Sequence, residues 1–262
     1  MSKIIKESYD DIQEIEKLAI EILRFISDKY IGLIYELFRN MDLFDNLKKN
    51  IKFDKYINYI DKIVDSNKFK KIKNFIDNKN LIFYFCDKDF GDIDGEYRKS
   101  KNWIRIYAHR DEFYEVVEDF KEDILDMNNK SIMSIYRLMY DIMEESFKDL
   151  IVHELQHAYD DFRSEGNFVL HKKTQDFFRK QQEKGNHNID TKEEYKNYLN
   201  LPHEMWARFS ETITKFNKHD WKEDFIYLLK GFRKNFKGYN LLSEKDKKRL
   251  IKALYKYYNL KK

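Results

Sequence analysis

Residues 147–163 read FKDLIVHELQHAYDDFR. On a helical wheel Phe147, Ile151, Leu155, Ala158 and Phe162 share one stripe, with His153 and His157 nearly opposite. The spacing predicts a helix that buries its apolar side and turns two imidazoles toward a cleft. Residues four apart lie on one helical face, a turn from each other, so both rings can reach a single ion. Glu154 sits roughly a quarter-turn round, near enough to take a proton from water that the ion activates. His-Glu-x-x-His is therefore read as a zinc site, one ion per chain, with His153 and His157 as ligands and Glu154 as general base. The plain alternative is a solvated helix that carries these residues by chance.

On the N-terminal side, Leu81–Asp87 (LIFYFCD) is a β-prone run closed by the turn-like stretch DKDFGDIDGEY, residues 87–97. Asn102–Ala108 alternates, with Ile104, Ile106 and Ala108 on one face and Trp103, Arg105 and Tyr107 on the other. A small mixed or antiparallel sheet is expected between Leu81 and His109, packed on the histidine-bearing helix. Earlier still, Ile12, Ile15, Leu18, Ala19, Ile22 and Ile26 follow helical spacing. Further helical stretches are read at Lys29–Arg39 and around Tyr56, Ile57, Ile60 and Ile63. Seven glycines and one proline leave few breaks, which favours long helices.

Helical patterning resumes at Ser131 and runs to about Ser164. Residues 163–200 are polar and read as an insertion or flap. Pro202 marks a helix start, and two more helices are expected near 221–235 and 243–259. The predicted class is α+β and predominantly helical. Residues 1–78 form an N-terminal helical region, and residues 79–262 form the domain with the site.

A catalytic zinc site commonly has three protein ligands and one water. Asp161 lies eight residues beyond His153, about 12 Å along the axis, too far for a short side chain to share the ion. Asp160 and Asp161 are better read as support or caps. After Pro202, the residues Met205, Phe209, Ile213 and Phe216 form a buried stripe, while Glu204 and Arg208 share another face. Glu204 is the leading third ligand and His203 the alternative. The bland reading of Glu204 is a first-turn carboxylate paired with Arg208.

HELQHAYDD (153–161) followed by PHEMWARFSE (202–211) resembles the zincin superfamily of metallopeptidases, in the gluzincin branch. It is also similar in pattern to zincin-like domains of phages and mobile elements. The resemblance implies a glutamate on a later helix as third ligand, here Glu204. It implies a peptide or protein substrate and a substrate-pairing edge strand, here Trp103, Ile104, Arg105, Ile106 and Tyr107. Better-known gluzincins often carry an aspartate four residues after the third ligand, where this chain has Arg208. Support for the histidines is then expected from Glu211 or Asp160, and an oxyanion donor from Tyr195, Tyr198, His203 or Arg208. The competing class is a non-catalytic binding or structural protein of a phage or mobile element with the same fold.

Composition narrows the remaining classes. A single cysteine, Cys86, excludes an internal disulfide framework and any zinc site built on several thiolates. The start MSKIIKESYDD lacks a signal-like apolar core, and no stretch is apolar enough for a bilayer, so a cytoplasmic protein is expected. Net charge is only +3, which makes no case for nucleic acid. KFKKIK (68–73) and the tail KDKKRLIKALYKYYNLKK (245–262) mix basic and aromatic residues. Yet Leu250, Ile251, Leu254, Tyr257 and Tyr258 fall at helical spacing, which suits an amphipathic helix docked on a core.

Overall fold

The computed structural model describes residues 9–39, 55–87, 95–108, 132–164, 177, 180, 191–216, 220–222 and 224–261. Contacts divide the chain into two units, residues 14–155 and residues 1–13 with 156–262. The fold is predominantly helical α+β with one small mixed sheet. Among the described residues, no helix is long and apolar enough to cross a membrane.

The unit of residues 14–155 holds most of α1 (Tyr9–Arg39), the sheet and the first part of α4 (Ile132–Arg163). Four strands, β1 (Tyr56–Tyr59), β2 (Ile82–Asp87), β3 (Gly95–Arg98) and β4 (Trp103–Ala108), pair in the order β1-β2-β4-β3. The β2–β4 pair is parallel and the other two pairs are antiparallel. Alternation decides the faces: Phe83, Phe85, Ile104, Ile106 and Ala108 are buried, and Phe85 meets Phe147 of α4 edge-on at 5.1 Å. From α1, the expected helical stripe Ile15, Leu18, Ala19, Ile22 and Ile26 is buried as well. Each such side chain contributes about 1.5–3 kcal/mol by leaving water.

Two strands were not legible as such. Tyr56 and Ile57, read as helical, belong to β1, and only Ile60–Ile63 (α2) turns into helix. A run as short as Tyr56–Tyr59 fits either period, and pairing with β2 settles it here. The C-terminal end of the turn-like stretch, Gly95–Tyr97, belongs to β3. Because β1 joins the sheet, the expected boundary at residue 78 does not divide the fold; residues 14–155 form one unit. Cys86 is half-buried, on the opposite face from Phe83 and Phe85.

The basic run at residues 68–73 is structural. Phe69 and Ile72 are buried. The Glu14 carboxylate accepts backbone N–H groups from Lys70, Lys71 and Ile72 at 3.1, 2.6 and 3.1 Å, just ahead of α3 (Lys73–Lys79). Those N–H groups belong to the turn that leads into α3, so Glu14 ties that turn to α1. Glu14→Ala is expected to cost about 1–2 kcal/mol, seen as a lower urea midpoint at unchanged slope. An unchanged midpoint would remove this role.

In the other unit, Pro202 occupies the first turn of α6 (Pro202–Thr214), as expected. It follows α5 (Lys192–Leu199), within the region read as a flap; residues 165–176, 178–179 and 181–190 of that region lie outside the described residues. α7 (Phe225–Asn235) and α8 (Glu244–Lys261) close the chain. Met205, Phe209 and Ile213 share a core with Phe232, Leu250, Leu254, Tyr257 and Tyr258, so the basic tail is a docked helix.

Candidate metal centre

α4 is enclosed more fully than its sequence suggested. Every residue from Ile151 to Asp161 is buried, where one apolar stripe and an open face were expected. His153, Glu154 and His157 are 7%, 5% and 8% exposed. Polar groups this deep require partners, because burial without one costs several kcal/mol by the usual transfer scales (about 2–7).

Glu204 of α6 provides one. Its Oε1 lies 3.3 Å from His157 Nε2, and the residue is 3% exposed. One ligand atom from each of His153, His157 and Glu204 falls within 4.8 Å of the other two, the group among the described residues that could hold a metal ion. Two ligands each about 2.0–2.1 Å from a tetrahedral ion stand about 3.3–3.4 Å apart. The His157–Glu204 spacing fits that value, and two imidazoles with a carboxylate are a donor set zinc accepts.

His203, the alternative ligand, sits on the flank of the group. Its Nε2 is 3.7 Å from Glu204 Oε1, and its ring lies 5.5 Å from that of His157 at 58°. Glu204 thus faces two imidazoles. The buried Arg208 Nε meets no hydrogen-bond acceptor.

The expected supporting residues have the following neighbours. Asp160 accepts a hydrogen bond from Gln156 Nε2 at 3.1 Å on the ligand helix. Burial raises the pKa of its carboxyl, opposed by the neighbouring His157, the Gln156 amide and Arg163. Glu211 lies 3.8 Å from Lys215, the C-cap residue of α6, and the Tyr198 ring packs 6.0 Å from Phe177. Tyr195 packs against the C-terminal core. His109, His171, His187 and His219 lie outside the described residues.

One assignment is corrected by the sheet. β4, with Trp103, Ile104, Arg105, Ile106 and Tyr107, is an interior strand paired on both sides, so it has no free edge for a substrate. The outer strand on that side is β3. A Cβ built on its Gly95 would lie 2.9 Å from Leu150 Cδ1 and 3.1 Å from Glu154 Cγ, so β3 runs hard against the helix at Glu154. On its other face, β4 carries Arg105 4.2 Å over the Trp103 ring and bonded to the Tyr107 hydroxyl at 2.8 Å. These contacts tie the strand's own side chains together.

Gln156, Ser210 and Gly95 complete the surroundings and were not singled out from the sequence. The available signal was Gln156 and Asp160 four residues apart on the ligand helix. Compared with known proteins, the chain matches no protein-family model, no curated protein and no solved structure.

Proposed function

We propose that the chain is a zinc-dependent metallopeptidase. The observation that carries this reading is the buried His153–His157–Glu204 group, with Glu204 3.3 Å from His157 and Glu154 beside His153 on the same helix. When bound, zinc would polarise the scissile carbonyl and make water acidic enough to attack near neutral pH. Glu154 takes the proton from the attacking water and hands it to the leaving amine. His203, the imidazole beside the ligands, is the best-placed donor for the developing oxyanion. The outer position of β3 supports Gly95–Arg98 as the strand along which an extended peptide would pair, in place of β4.

Burial favours a second reading. A catalytic ion needs room for water and substrate, whereas His153, His157 and Glu204 are each less than a tenth exposed. A metal that only braces the helices would suit such enclosure, and would make the chain a non-catalytic binding or structural protein.

Metal content by elemental mass spectrometry, on wild type, His157→Ala and Glu204→Ala, tests the site. The expected result is about one zinc per wild-type chain, lost in both variants. Zinc lost only in His157→Ala would move the third ligand to His203. A wild-type chain that takes up no zinc after reconstitution would overturn the proposal. With zinc established, hydrolysis of a peptide library separates the catalytic reading from the bracing one.

A further inference from the structure

The turn of α4 that carries the ligands also holds a buried carboxamide. Gln156 and Ser210 are both fully buried. The Ser210 hydroxyl donates to Gln156 Oε1 at 3.0 Å, and Gln156 Nε2 donates to Asp160 Oδ1 at 3.1 Å. With both ends engaged, the amide has one orientation and cannot flip without losing two buried hydrogen bonds.

α6 therefore meets α4 at two polar points, Ser210 at Gln156 and Glu204 at His157. Glu204 and Ser210 are six residues apart, about 9 Å along the helix axis. Gln156 and His157 are neighbours. Contacts spread along one helix and adjacent on the other restrict both the sliding of α6 and its rotation about its own axis. Met205, Phe209 and Ile213 face away from this contact, into the core shared with α7 and α8.

We infer that Ser210 and Gln156 are positioning residues for the third ligand, and that their hydrogen bond holds α6 where the Glu204 carboxylate meets the ion bound by His157. The inference rests on the zinc site proposed above. It assigns a role to a residue inside the motif that is neither ligand nor base.

The test is zinc affinity, by competition with a chromophoric chelator, for wild type, Ser210→Ala, Gln156→Met and the double variant. Thermal unfolding of each metal-free protein runs alongside. Each single change is expected to weaken zinc binding about 10–100-fold. The double variant should lose no more than the weaker-binding single, because both changes break one contact. Wild-type zinc affinity in the variants, with only a lowered metal-free midpoint, would overturn positioning and leave a structural bond. Fully additive losses would overturn it too. No zinc on the wild-type chain would overturn the metal site itself, a result distinct from either. Ser210→Ala removes a single oxygen and carries the test if Gln156→Met fails to fold.

Discussion

Glu154→Gln is expected to abolish peptide hydrolysis while leaving zinc in place. Glutamine has nearly the shape of glutamate, so the packing of Glu154 Cγ beside Gly95 is kept. What is lost is a carboxylate able to take a proton from water and return it to the amine. General-base contributions are about 10²–10⁴-fold, so the fall in kcat should reach at least that range. Glu154 lies outside the ligand group, and zinc content should therefore match wild type. Undiminished cleavage by a zinc-loaded Glu154→Gln protein would sink the proposed mechanism. Loss of both zinc and activity would show that Glu154 holds the site together in some other way.

The site was legible to the extent that its geometry is local. His153, Glu154 and His157 lie within two turns of one helix, whose pitch alone brings the imidazoles to one face. Glu204 was reachable by a longer step, because Pro202 fixes the helix start and the apolar stripe from Met205 leaves the Glu204 side for something polar. The Gln156–Ser210 bond spans 54 residues, and no periodicity within either helix announces it.

The sheet shows the same limit. β2 and β4 were readable from β-prone residues and alternation. β1 and β3, four residues each, were hidden by Ile60 at helical spacing and by the glycines and aspartates ahead of Gly95. The edge position of β4 was implied by the family resemblance alone, and the pairing of β3 outside it overturns that. Burial of residues 151–161 of α4 on every side was also out of reach. The sequence turns His153 and His157 toward a cleft, but burial of Gln156, Asp160 and Asp161 as well depends on partners from elsewhere in the chain.

Gly95→Val is expected to lower kcat/KM by about 10²-fold while zinc content stays at the wild-type level. At Gly95 an added Cβ would already meet Leu150 Cδ1 at 2.9 Å, Leu150 Cγ at 3.2 Å and Glu154 Cγ at 3.1 Å. The Leu150 methyl can swing away, so alanine should be accommodated by shifts of a few tenths of an ångström and a smaller loss. Valine adds two branched methyls to the same gap, and either β3 or the Glu154 side chain must move. Overpacking of this kind costs about 1–3 kcal/mol of stability. A misplacement of about 1 Å in a reacting group costs about 10²-fold in rate. The three atoms nearest the new Cβ belong to Leu150 and Glu154, not to the ligand residues. The zinc readout therefore separates a displaced base or strand from a broken metal site. Wild-type kcat/KM in a folded Gly95→Val protein would show that the close approach of β3 to Glu154 has no part in catalysis. Loss of zinc would place the damage at the ligands, against the geometry described here.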